Sequence, residues 1–151
     1  IANDNSNGQI VLSGKKICLE ILCKELEYKK IKHVKLPVSA PFHCPLMSKA
    51  TEEMRQKLLD IKFIEPKISI ISNVTSEPIK NPDEIKKLLI QQIEKPVRWR
   101  ESVNKMISLG VDKFIEIGPG KVLSGLIKRI DRNVILNQIN NLNDVENLLN
   151  D

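Results

Sequence analysis

Apolar positions fall along this chain in two alternating periods, one near two residues and one near three and a half. Residues 9–14, Gln-Ile-Val-Leu-Ser-Gly, alternate and close on glycine, which predicts a strand. From Lys15 to Leu26, the side chains of Ile17, Cys18, Ile21, Leu22 and Leu26 share one face at helical spacing. Val34, Leu36 and Val38 alternate again, so His33–Val38 reads as a strand and the opening as a β-α-β unit. Pro41 lacks an N–H and ends that strand. Pro45 suits the first turn of a helix running to about Asp60, with Leu46, Met47, Ala50, Met54 and Leu58 as its buried stripe. On this reading Met47 and Met54 are core. A short run at Lys62–Ile64 and a turn at Pro66 lead to Ile68–Val74, a nearly continuous apolar run expected to be a buried strand. Thr75–Lys80 reads as a loop. Asn81-Pro82-Asp83-Glu84 combines a capping side chain, a first-turn proline and two acids, a strong helix start. That helix carries Ile85, Leu88, Leu89 and Ile93, and Pro96 ends it. A helix over Arg100–Leu109 stops at Gly110. A strand at Lys113–Ile117, a Gly118-Pro119-Gly120 turn, a helix at Lys121–Ile130 and a strand at Val134–Ile139 follow, with Asn143 capping a last short helix. The alternation predicts an α/β fold with a mostly parallel sheet covered on both faces.

Composition narrows the picture. The 151 residues suit one domain, and with 3% aromatics the core must be filled by Ile, Leu and Val. No apolar run approaches the ~18 residues of a membrane span, so no membrane association is expected. The chain opens on Ile-Ala-Asn-Asp without a signal peptide or an initiator Met, and is read as a fragment or a processed chain. Its three cysteines, Cys18, Cys23 and Cys44, are an odd number without paired spacing, which predicts free thiols. Cys44 beside His43 invites a metal reading. Zinc needs about three or four ligands, and no Cys-x-x-Cys or His-x-x-x-His supplies the rest, so no metal is expected. The net charge of +5 fits a phosphate-bearing ligand or an acidic partner. Without an aromatic–basic platform or helix-turn-helix spacing, nucleic acid is not expected. His33, after a lysine run, is read as solvent-facing.

His43 is the other histidine. It sits between Pro41 and Pro45 on a short strand-to-helix connection, where an imidazole can act as an acid–base group near neutral pH. By type and position alone, a loop histidine facing water is the commoner reading. Its surroundings change the balance. Val38–Met47, Val-Ser-Ala-Pro-Phe-His-Cys-Pro-Leu-Met, resembles the segment that carries the catalytic histidine in malonyl-CoA:acyl carrier protein transacylases and related acyltransferase domains. Three further stretches resemble the same family in the same order: Asn3–Gly14, Gln92–Trp99 and Glu116–Leu126.

The resemblance implies the C-terminal part of an α/β-hydrolase-like acyltransferase core over residues 41–151, and the remainder of a small ferredoxin-like subdomain over residues 1–40. It implies that His43 is the general base, oriented by the backbone carbonyl of Gln92. It matches Asn3, Asn5 and Gln9 to cleft-lining positions, although turn chemistry explains such residues equally well. Phe42 stands where, in polyketide acyltransferase domains, Phe accompanies malonyl and Ser accompanies methylmalonyl. Val122 matches a pocket wall. Lys121, Lys128 and Arg129 are open to two readings, a contact with carrier or cofactor phosphates and a solvated helix face.

The family chain is about twice as long, and its nucleophile is absent from this one. Ser108-Leu109-Gly110 and Ser124-Gly125 lack the first glycine of Gly-x-Ser-x-Gly. The arginine that holds the malonyl carboxylate is also absent, since in the family both precede the position of Asn3. The implied activity is malonyl transfer from malonyl-CoA to the phosphopantetheine thiol of acyl carrier protein in type II fatty acid synthesis, without a cofactor. It requires an N-terminal half carrying the Ser and the Arg, and this chain alone is expected to be inactive. The alternatives are an acyltransferase piece of a polyketide synthase and a non-catalytic carrier-binding piece. The Ile/Lys/Asn bias points to an apicomplexan plastid, the apicoplast, with a bacterial cytoplasm as the alternative.

Overall fold

Residues 1–150, the part that the computed structural model describes, hold two antiparallel strand pairs, one parallel pair and six α-helices. Asn3–Ser6 (β1) and Gln9–Val11 (β2) form a hairpin about Asn7-Gly8. The strand expected over residues 9–14 is therefore shorter, and its partner comes from the Asn-rich stretch. The register slips between Asp4 and Ser6, which leaves Asn5 as the extra residue of a bulge. β1 is tied to a distant segment. The Val97 N–H donates to the Ala2 carbonyl at 2.8 Å, and the Asp4 N–H donates to the Val97 carbonyl at 2.9 Å. The Arg100 guanidinium forks onto the Asp4 carboxylate, Nε at 3.0 Å and Nη2 at 2.7 Å, a planar match that fixes orientation.

Lys16–Tyr28 (α1) is helical as its period predicts, but the apolar stripe is open: Ile17 and Ile21 are 61% and 62% exposed. Periodicity selects a face and does not say what covers it. The strand expected over His33–Val38 is not formed, and residues 31–38 carry no regular structure. A strand exists only where a neighbour takes its ladder hydrogen bonds. No strand among the described residues pairs with this segment, and Val34, Leu36 and Val38 stay exposed. His33 is half-buried rather than solvent-facing, its Nδ1 3.1 Å from the Ile31 carbonyl oxygen.

A 3-10 turn at Pro45–Met47 opens into Ser48–Leu58 (α2). The buried strand expected over Ile68–Val74 shrinks to Ile70–Ile71 (β3), paired antiparallel with Pro78–Ile79 (β4), which lies inside the expected loop. Pro78 cannot donate to a ladder, which keeps this pair short. Ile79 packs with Ile85 and Leu88 in a small core, flanked by Phe63 and Val74.

The later elements follow the sequence closely. Pro82–Gln91 (α3) starts as expected, with Asn81 Oδ1 accepting from the Glu84 N–H at 2.9 Å. Trp99–Ser108 (α4) buries Val103 completely and stops before Gly110, whose φ of +89° suits glycine. Lys113–Ile117 (β5), Val122–Ile130 (α5) and Ile135–Ile139 (β6) make a parallel β-α-β unit, Lys113 opposite Ile135 through Ile117 opposite Ile139. Leu142–Asn150 (α6) is capped by Asn141, not Asn143. The Asn141 side chain accepts from the Asp144 N–H at 3.2 Å, and the Asp144 carboxylate accepts from the Asn140 and Asn141 N–H groups. The α/β class holds. The mostly parallel sheet does not: among the described residues the strands form three separate pairs, of which β5–β6 is parallel and the other two antiparallel.

Candidate functional site

His43 is held by its backbone as well as its ring. Its φ is +59°, in the left-handed region that a residue with a Cβ enters only at a cost of about 1–2 kcal/mol. Two hydrogen bonds from the end of α3 over-determine it. The His43 N–H donates to the Ile93 carbonyl at 3.2 Å, and ring Nδ1 lies 2.8 Å from the Gln92 carbonyl oxygen. The neighbouring Cys44 is buried, and its Sγ donates to the Pro41 carbonyl at 3.1 Å, closing the turn.

The Nδ1 contact decides the tautomer. A carbonyl oxygen only accepts, so Nδ1 must carry the proton, and in the neutral ring Nε2 is then a bare acceptor. The carbonyl is available because α3 ends there. Flanking carbonyls are taken: Ile90 by the Ile93 N–H, Gln91 by Glu94 and Lys95, and Ile93 by His43 itself. Continuing an α-helix would bring the N–H of residue 96 onto Gln92, but residue 96 is proline and has none.

Beside the ring lies a groove of about 420 Å³, lined by Phe42, His43, Met47, Ala50, Met54, Gln92 and Ile93. Met47 and Met54 thus line the groove, and the core role expected for them is corrected: Met54 is 40% exposed and Leu46 47%. Unbranched thioethers suit an apolar wall that must adapt to what it meets.

The structure brings Phe42, His43 and Gln92 together at this groove and places the other expected residues elsewhere. Asn3 lies on β1 beside Val97, and Asn5 is the bulge residue. Gln9 Oε1 accepts from Arg129 Nη1 on α5, so Arg129 is engaged within the chain. Val122, at the start of α5, is 72% exposed, and Lys121 and Lys128 are exposed as well.

Sequence reasoning missed the fastening of the Gly118–Gly120 turn. Gly118 and Gly120 have φ of +136° and +94°, which only glycine adopts without strain. The Gly120 N–H donates to Asn140 Oδ1 at 2.7 Å. The Glu116 carboxylate accepts from the Leu123 N–H at 3.0 Å, the Ser124 N–H at 2.8 Å and the Ser124 hydroxyl at 2.6 Å. The Leu123 and Ser124 N–H groups are first-turn donors of α5 without an intrahelical acceptor, which any acceptor of suitable reach can satisfy, and a glutamate before a turn gives no local signal. The Ser124 hydroxyl, followed by the backbone N–H groups, holds the Glu116 carboxyl below the usual glutamate range. The folded value is lowered, so its stabilisation is complete above the ordinary value of 4.5 and fades as pH falls through the lower folded value. Glu116→Gln should therefore melt below the wild type at neutral pH, with the gap closing under increasingly acid conditions. Melting curves of both proteins across pH test this, and a gap that does not narrow in acid sinks it.

Among the described residues, no group of three His, Cys, Asp or Glu side chains converges as a metal site, and no helix is long and apolar enough to cross a membrane.

An imidazole with Nδ1 tied to a carbonyl and Nε2 open beside an apolar groove has the form of the acid–base half of a nucleophilic transfer site. The chain belongs to the acyl transferase domain family, whose model matches residues 1–139. It is 44% identical over 135 residues to the malonyl CoA-acyl carrier protein transacylase of Bacillus subtilis, covering 87% of this chain and 42% of that protein. The crystal structure of the acyl-carrier-protein S-malonyltransferase of Bartonella henselae superposes with a TM-score of 0.93 at 40% identity, covering 99% of this chain and 48% of that one. A malonyl-transacylase solved in complex with its type II polyketide acyl-carrier protein matches with a TM-score of 0.91 at 34% identity, covering 99% of this chain and 49% of that one. The chain thus spans about half the length of the relatives it matches. The two relatives with a stated organism are bacterial, and they lend no support to the plastid expectation.

Proposed function

We propose that this chain supplies the histidine-bearing half of a malonyl-CoA:acyl carrier protein transacylase of type II fatty acid synthesis. The observation that carries the reading is the 2.8 Å contact between His43 Nδ1 and the Gln92 carbonyl, which leaves Nε2 free to take a proton. A serine from the other half attacks the malonyl thioester carbonyl while His43 Nε2 takes the serine proton. The tetrahedral intermediate collapses, and the imidazolium returns that proton to the departing coenzyme A thiolate. In the second half-reaction Nε2 takes the proton of the carrier's pantetheine thiol, whose sulfur attacks the acyl-serine. The serine leaves and recovers its proton from His43. The protein ends as it began, and no cofactor enters.

In this reading the full cleft is completed by the other half and extends beyond the groove of this chain, with Asn3, Asn5 and Gln9 on its hairpin side, Phe42 limiting the acyl group and the exposed Val122 on a pocket wall. The half that carries the Ser and the malonyl-binding Arg covers the apolar faces left open in this chain, Ile17 and Ile21 on α1 and Ile117 on β5, which is 78% exposed. Residues 1–40 belong to the small ferredoxin-like subdomain and 41–151 to the hydrolase-like core, the β1–β2 hairpin reaching across the division. A polyketide setting is the second reading, favoured by the solved relative that holds a polyketide carrier.

The test uses the complete enzyme with malonyl-CoA and no carrier, followed by intact-protein mass spectrometry. One malonyl group per enzyme is expected, discharged on adding the carrier's thiol form. Absence of the malonyl-enzyme defeats the proposal. Discharge to a polyketide carrier but not to a fatty acid carrier selects the second reading.

A further inference from the structure

The turn 72–76 is fastened by residues that do not line the groove, and it touches the groove through Gln92. Ser76 adopts φ +59° and is 4% exposed, a strained residue in a buried place. Its N–H donates to the Ser72 carbonyl at 2.8 Å, and the Val74 N–H donates to Ser72 Oγ at 3.1 Å. Arg98, just before α4, clamps the turn from outside. Its N–H donates to the Asn73 carbonyl at 3.0 Å and its Nη1 to the Thr75 carbonyl at 3.0 Å. Its own carbonyl accepts from Ser76 Oγ at 3.2 Å, while Glu101 holds the guanidinium through Nε at 3.0 Å. The backbone of Asn73 is thereby fixed, and its amide Nδ2 donates to Gln92 Oε1 at 3.3 Å.

Gln92 lies one residue beyond α3, where the helical ladder no longer fixes both ends of a residue. Its N–H still donates to the Leu88 carbonyl at 3.0 Å. Its carbonyl has left the ladder and points at His43. The side-chain bond from Asn73 is the second point of attachment that stops this residue from turning.

We propose that Asn73 is a positioning residue for His43, its clamped amide holding the Gln92 side chain so that the Gln92 carbonyl stays on Nδ1. This rests on the reading of His43 as the base, and the test separates the two. In the complete enzyme, Asn73→Ala, Gln92→Ala and the double variant are compared by single-turnover acylation. Each single change should slow acylation by about 3- to 10-fold, the size of one hydrogen bond, with KM nearly unchanged. The double variant should be no slower than the slower single, because both remove the same link. Asn73→Asp should recover most of the rate, since the Gln92 amide can turn over and donate to the new carboxylate. A slowly exchanging His43 Nδ1–H proton signal, assigned by its absence in His43→Ala, should broaden or vanish in Asn73→Ala. That readout does not depend on activity, so it stands even if His43→Ala keeps its rate and the proposed function fails. If Asn73→Ala does not fold, Gln92→Leu removes the acceptor and leaves the turn intact, and it should give the same loss of rate and signal. Multiplicative losses in the double variant, or an unchanged Nδ1–H signal in the single ones, overturn the proposal.

Discussion

His43→Ala in the complete enzyme is expected to lower malonyl transfer to the carrier protein by about 100-fold or more, the usual scale for losing a general base. The structure gives a reason to expect the upper part of that scale. The ring is the only part of residue 43 that alanine removes from the site. The backbone bond to Ile93 at 3.2 Å does not need the side chain, so the turn should persist. What goes is the Nε2 acceptor, and both half-reactions need it. Steady-state transfer and the acylation burst should fall together, with binding of malonyl-CoA little changed. His43→Gln offers a control, because its amide can donate to the Gln92 carbonyl but supplies no base. A rate near that of the wild type in either variant, in a folded protein, would remove His43 from the mechanism.

How much of the fold and site was legible in the sequence depends on whether a feature is local. The cap at Asn81, the stop at Gly110 and the Gly118-Pro119-Gly120 turn are local chemistry, and each stands where residues alone put it. The β5-α5-β6 unit came through nearly intact because all its pairing partners lie within it. The elements that failed are those whose partners lie far off. His33–Val38 has the alternation of a strand and, among the described residues, no strand to pair with. Ile68–Val74 has an apolar run and only two paired residues. The hairpin strand at Asn3–Ser6 was overlooked for the opposite reason: it is polar, and its support comes from Val97 and Arg100, more than ninety positions later. At the groove, His43 and Phe42 were readable from their motif. The methionine wall was not, because a stripe at helical spacing looks the same whether it faces a core or a cleft. Glu116 and Asn73 act through bonds to residues 8 and 19 positions away, and composition carries no trace of them.

Replacing Lys95-Pro96 by Ala-Ala should slow acylation more than Gln92→Ala does, although neither change touches the imidazole. Gln92→Ala keeps the carbonyl and gives up only the side-chain link to Asn73, a loss of about 3- to 10-fold. The Ala-Ala variant restores an N–H at position 96, the fourth residue after Gln92 and the natural helical donor to its carbonyl. It also removes the ring that keeps the preceding residue out of helical conformation. Each extra turn of helix in α3 then competes with His43 for one acceptor. A ring that loses that bond can turn or take the other tautomer, with Nε2 protonated and useless as a base. The competition is not free to run to completion. Val97 is held extended by the Ala2 carbonyl at 2.8 Å and the Asp4 N–H at 2.9 Å, and unwinding that bridge opposes the longer helix. The expected loss is therefore about 10-fold or more, between those of Gln92→Ala and His43→Ala. Single-turnover acylation of the serine in all three variants, with near-ultraviolet circular dichroism to check folding, measures the order. If Gln92→Ala falls as far as His43→Ala in a folded protein, the amide side chain is the working group, and the carbonyl does not set the state of the imidazole.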